Sequence, residues 1–161
     1  MSALTESLEF IENWVRQNIP NHPAVMNQGL SREQIEEQIK DLPYKLPKEI
    51  YDLYQWRNGG INPFIPHPEA WDLASFSPLE EVTYQPLVIS SSEALEDYFV
   101  FVLFMVEDLG YFFFCTQEES EVLPIYCNDY PTIDMIGEKP RYSSLTEMME
   151  DLVNELKSRE S

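Results

Sequence analysis

Leu4, Leu8, Ile11 and Val15 recur at helical spacing, with Phe10 and Trp14 beside them. This pattern predicts an amphipathic first helix, which the turn residues from Asn18 to Pro23 should end. Ser31 and Gln34 have capping-box spacing, and Leu30 and Ile35 are placed for a hydrophobic staple. A second helix is therefore expected from Arg32 to about Asp41, with Ile35 and Ile39 inward. Trp71 to Phe76 reads as a strand. Ser77-Pro78-Leu79-Glu80 then sets a cap, a first-turn proline and a capping-box acid in register, so a short helix should follow and end before Pro86. Leu87 to Ile89 is expected to be extended.

The second half of the chain changes period. Tyr98 to Val106 is continuously apolar and β-rich, as a buried strand requires. Glu107-Asp108-Leu109-Gly110 is a turn, and Tyr111 to Cys115 returns as the partner strand of a hairpin. Gln117 to Ser120 makes another turn before an expected strand from Val122 to Cys127. Three consecutive strands of this kind predict an antiparallel meander. Asp129 to Arg141 is broken by Pro131, Gly137 and Pro140. A further capping box at Ser144 and Glu147 opens a last helix, on which Leu145, Met148, Met149, Leu152, Val153 and Leu156 trace one apolar stripe. Helices, then a mostly antiparallel sheet, then a closing helix predict an α+β fold with helices packed on the sheet.

Between the halves lies the stretch from Leu46 to Gly60. Pro47 suits the first position of a helix, and Ile50, Leu53, Tyr54 and Trp56 give that helix a wide apolar face. Asn58 and Gly59 tolerate the left-handed backbone that closes a helix. A Leu-Pro start, an aromatic-rich turn and an Asn-Gly stop resemble the signature helix of the SUKH superfamily. That superfamily includes bacterial immunity proteins and the fungal Smi/Knr cell-wall regulators. The order of elements from about Leu30 to Leu156 is similar to its fold as well. The resemblance implies one SUKH-like domain over 1–161, with residues 1–29 as an N-terminal helical extension. It implies a binding protein rather than an enzyme: an immunity protein that neutralises a toxin domain, or an intracellular regulator of the Smi/Knr type.

Composition sharpens this picture. The 161 residues are 43% hydrophobic and 13% aromatic, enough for a sizeable core. Against 10 Lys and Arg stand 29 Asp and Glu, a formal charge of −19. Such a surface repels phosphate backbones and anionic membranes, so neither nucleic acid nor membrane is an expected direct partner. It attracts a basic protein and speeds the encounter. The exposed acids of the turn, Glu118, Glu119 and Glu121, are the candidate contacts with that partner.

No constellation for catalysis stands out. His22 and His67 lie in proline-bounded loops with no neighbouring nucleophile. Ser90-Ser91-Ser92 lacks the Gly-x-Ser-x-Gly elbow, which leaves a small hydrolase as the weakest reading. Glu36-Glu37, Glu80-Glu81 and Glu118-Glu119 are acidic pairs expected by chance in so acidic a chain. Cys115 and Cys127 have no CxxC spacing, so neither a metal site nor any cofactor is expected, and both read as free thiols. Trp56, Trp71 and the run from Tyr111 to Phe114 read as core before ligand pocket, since sheet and helix faces must be filled. With aromatic residues pointing to both faces of that strand, both faces should be covered, or one should form a binding surface. The chain start shows no basic region followed by an apolar stretch, and the longest apolar run is too short to span a bilayer as a helix. The cytoplasm is the expected compartment.

Overall fold

A computed structural model describes residues 1–21, 24–42, 44–61, 74–84, 99–106, 109–128 and 138–159. Among them, six strands form one sheet in strict chain order: β1 (Val25–Gln28), β2 (Arg57–Ile61), β3 (Ala74–Phe76), β4 (Phe99–Val106), β5 (Leu109–Cys115) and β6 (Tyr126–Asn128). Every neighbouring pair is antiparallel. Helices α1 (Ala3–Asn18), α2 (Arg32–Ile39), α3 (Lys48–Trp56), α4 (Leu79–Tyr84) and α5 (Leu145–Ser158) complete an α+β fold in which helices flank the sheet.

The central hairpin sorts its side chains by pleat. On β5, Phe113 and Cys115 join the core shared with the helices, while Phe112 and Phe114 join a second cluster with Val100, Val102 and Tyr126. The β4 strand alternates in the same way until the register shifts between Val102 and Phe104. The extra residue puts Leu103 and Phe104 together in the helix-side core, and Met105 returns to the second cluster. Phe101 stacks on Phe113 at 5.0 Å, and Phe112 stacks on Tyr126 at 5.9 Å. Phe112 is fully buried, so the second face is closed and not an open binding surface.

On the helix side, the apolar stripes of α1 and α5 are buried as their periodicity predicts. Helix α1 packs on both α5 and α3. Residues 1–29 therefore contribute a core helix and, through β1, an edge strand of the sheet. The Ser31–Gln34 capping box forms in full. In α5 the Ser144 hydroxyl accepts from the Glu147 amide, but the Glu147 carboxylate turns back to Ser143.

Three expectations need correction. The helix from Pro47 does not stop at Asn58-Gly59. It ends at Trp56, Arg57 is already extended (φ −149°, ψ 149°), and the chain runs straight into β2. Gly59 does have positive φ (+81°), but inside a strand, where a Cβ would lie 2.6 Å from the Pro78 nitrogen. Glycine is needed there for close approach of β2 to the start of α4. Pro47 stands one place earlier than expected, just before the first helical residue. The strand expected over Val122–Cys127 shrinks to Tyr126–Asn128, with a single bridge from Ile125 to Tyr142. Pro124 has no N–H for a ladder, and the carbonyls of Ser120 and Glu121 already bond to α3. Strands β1 and β2 went unforeseen because VMNQ and RNGGI are rich in residues that strands disfavour. Residues 71–73, Leu87–Ile89 and Tyr98 lie outside the described residues, as do Glu107 and Asp108 of the expected turn, whose other two residues, Leu109 and Gly110, instead open β5 as ladder partners of Val106 and Met105.

Leu53 is fully buried at the centre of the helix-side core. Leu53→Ala should lower the unfolding free energy by about 2–5 kcal/mol. Gly59→Val should also be destabilising, since it combines a positive φ with a collision against Pro78. Denaturant midpoints measure both, and unchanged midpoints would mean that α3 and β2 are peripheral.

Candidate functional site

Helix α3 begins without a side-chain cap, because Pro47 has none to offer. Its first amides are satisfied from elsewhere. The Lys48 N–H donates to the Ser120 carbonyl at 3.2 Å and the Glu49 N–H to the Glu121 carbonyl at 3.3 Å. One turn earlier, the Lys45 N–H donates to the Thr116 carbonyl at 2.8 Å. These three bonds lay the connector between β5 and β6 along the start of α3. The connector thus supplies the acceptors that the helix end lacks.

That connector carries Glu118, Glu119 and Glu121, and all three are exposed. The Glu118 amide donates to Thr116 Oγ1 at 3.2 Å, which closes a small local turn. Glu121 faces Lys48 at 3.6 Å, a solvent-exposed pair worth little on its own. Glu118 and Glu119 form no ion pair among the described residues. The three carboxylates therefore stand together on a connector whose backbone is pinned at three points.

Their surroundings are less acidic than the chain as a whole. Glu119 and Ser120 form one wall of a groove of about 270 Å³ between α2, the segment leading into α3, and α3 itself. Arg32, Lys40, Lys45 and Lys48 line it, four of the ten cations of the chain. The Arg32 guanidinium lies over the Tyr51 ring at 4.7 Å from its centroid. Burial, followed by the charges of Glu36 and Glu119, raises the Tyr51 phenol above its ordinary value, with Arg32 opposing. The signal for this grouping was legible: the four cations fall within residues 32–48.

Two buried polar groups organise the same region. Glu49 is only 6% exposed. Its carboxylate accepts from the Leu145 N–H at 2.9 Å, the Thr146 N–H at 3.0 Å and the Thr146 hydroxyl at 3.1 Å. A side chain of α3 thus caps α5. Burial raises the Glu49 carboxyl above its ordinary 4.5, and the bonds from Leu145, Thr146 and Leu123 offset only part of that effect. Helical spacing places Glu49 with Leu53 on one face, so the sequence did mark it as an acid on an apolar stripe. Asn58 does for α4 what Glu49 does for α5. Its Oδ1 accepts from the Leu79 N–H at 2.9 Å, and its Nδ2 donates to Glu80 at 2.8 Å. A third cluster joins α1 to α3 and β2, where Glu12 accepts from Arg16, Arg57 and Trp56. Burial pushes Glu12 up, but those bonds outweigh it and hold the carboxyl below its ordinary value.

The remaining sequence candidates find no chemistry here. His22, His67, Trp71 and Ser90–Ser92 lie outside the described residues. Cys115 is buried and its thiol is pushed up to about 12, so it is a packing residue. Cys127 is half-buried, raised by burial and bonded to Tyr111. Among the described residues, no group of three or more His, Cys, Asp or Glu is arranged to hold a metal ion. No helix among them is long and apolar enough to cross a membrane. The chain matches no protein-family model and no curated protein.

The two shifted carboxyls set opposite pH dependences. Glu49 is raised, so its contribution to stability is complete below pH 4.5 and is lost as pH climbs through its folded value. Glu12 is lowered, so its contribution is complete above pH 4.5 and is lost as pH falls through its folded value. Melting temperature should therefore rise as pH falls from neutral towards 4.5 and decline as the acid deepens and Glu12 protonates. Relief of self-repulsion among the excess acids adds to the rise. Glu49→Gln should flatten it, and melts of the variant showing the same slope would remove Glu49 as a cause.

Proposed function

We propose that this chain is a non-enzymatic, SUKH-type protein-binding domain that docks on a basic partner through exposed carboxylates. The observation that supports it best is the connector, which holds Glu118, Glu119 and Glu121 in solvent on a backbone tied to α3. Pinning the backbone in advance reduces the ordering cost of association. The charge of −19 adds a long-range field that draws cationic surfaces in. The resemblance to immunity proteins makes a bacterial toxin domain the partner class, with its basic cleft as the docking surface. The reading assigns the cytoplasm as the compartment and requires no cofactor. The alternative, an intracellular regulator of the Smi/Knr type, uses the same binding chemistry on a different partner.

Purified basic toxin domains are the decisive partners to test, with binding and residual toxicity measured together. Inhibition supports the immunity reading, and tight binding without inhibition supports the regulator. Rim charges act chiefly on encounter, so association should slow as salt rises. Reversing Glu118, Glu119 and Glu121 to Lys should slow association more than it speeds dissociation. Surface-binding kinetics across a salt series check both, and an association rate indifferent to salt and to the reversal would remove the acidic-surface mechanism.

A further inference from the structure

Strand β1 forms one edge of the sheet, and apart from being short it lacks the usual protections of an edge. Val25–Gln28 contains no charged residue and no proline. The register with β2 shifts between Met26 and Gln28, but the extra residue lies on β2, so β1 itself is regular. No backbone hydrogen bond beyond the β1–β2 ladder involves residues 24–28 among the described residues. Alternate N–H and C=O groups of β1 therefore point outward with no backbone partner among them.

The surroundings of this edge are uncharged, in contrast to the rest of the chain. Residues 17–31 hold no Asp, Glu, Lys or Arg, the longest such run in a chain in which 24% of residues are charged. Burial does not explain the run, because Pro20, Asn21, Val25, Asn27 and Gln28 are exposed. Across the ladder Val25 faces Ile61, and the two are 64% and 63% exposed. Both sit on the side away from the helices, since Ala24 and Met26 pack towards the helix-side core. On the helix side, Ile19, Pro20 and Met26 line a groove of about 370 Å³ between the end of α1 and β1. Its only charged lining residues, Arg16 and Arg57, both bond to Glu12.

We propose that β1 pairs with β1 of a second copy of this chain, antiparallel about a two-fold axis, so that one sheet runs through both copies. Charge selects this occupant. Two chains of −19 repel one another wherever their acids meet, and the uncharged edge is where they approach at least cost. A basic partner is drawn instead to the acids and gains little from a neutral strand. Pairing gives the outward backbone groups partners, covers Val25 and Ile61, and lays alternate side chains of the second strand over the groove. Four residues make a short ladder, so the dimer is weak, with a dissociation constant on the order of 10–100 μM. Neither β1 nor β2 contains a residue of the acidic connector, so the inference does not depend on the acidic-surface reading.

Sedimentation equilibrium of the full chain between about 5 and 500 μM tests it, and the mass should climb from one chain to two. Raising NaCl from about 0.05 to about 0.5 M should tighten the dimer by about tenfold, opposite in sign to the docking of a basic partner. Amide hydrogen exchange should slow with protein concentration at residues 24–28 and stay constant in the connector. Val25→Glu should weaken the dimer by about tenfold or more, and Val25→Ser, which adds no charge, to an intermediate degree. Leu109→Glu, at an exposed apolar residue of another strand, should change it less than about twofold. Melting curves report whether each variant is folded. A mass of one chain throughout, or masses beyond two, would overturn the proposal. So would concentration-dependent protection confined to other surfaces, a dimer that weakens with salt, or indifference to both Val25 variants.

Discussion

A carboxylate inside the fold, Glu49, joins three parts of the chain that are far apart in sequence. Its backbone N–H is held by the β5–β6 connector, its side chain takes the first amides of α5, and its helix carries Leu53 into the core. A buried charge of this kind is tolerated only when its lone pairs are occupied. The position of α5 is therefore coupled to the position of α3, and both are coupled to the connector. If Glu49 moved, the α5 amides would be orphaned and a charge left buried without donors, two costs that add.

The same device recurs across α3 and β2. Asn58 satisfies the start of α4, and Arg57 with Trp56 meets Glu12 of α1. The starts of α4 and α5 are thus completed by side chains from other elements. Such contacts specify geometry more than they add net stability, because each one exchanges bonds with water for bonds within the protein. They also give the exposed acids of the connector a fixed place, since the backbone beneath them belongs to this network.

The α+β class, the central hairpin and the apolar stripes of α1, α3 and α5 were legible because strong periodicity decides those elements. The first two strands were not. Val25–Gln28 is half polar and Arg57–Ile61 carries two glycines, and they become strands only because β3 and the hairpin offer a ladder to extend. The Asn58-Gly59 pair was misread for a related reason. Asparagine and glycine there look like a local helix stop, whereas their roles are tertiary: one caps α4 and the other lets Pro78 approach. Glu118, Glu119 and Glu121 were correctly expected on an exposed turn, but the cations beside them come from α2 and the approach to α3. Nothing in the local sequence of the turn could reveal them.

The packing of α1 against α5 bears on how the chain is made. Helix α1 is synthesised well before α5, the helix that covers much of its apolar stripe. The β4–β5 hairpin is local and can form early, while Leu4, Leu8 and Ile11 wait for α5. Until then that stripe is open to other surfaces, including those of neighbouring nascent chains. Closure of the fold is therefore a late, long-range event, and the interval before it is when this protein is most exposed to misassembly.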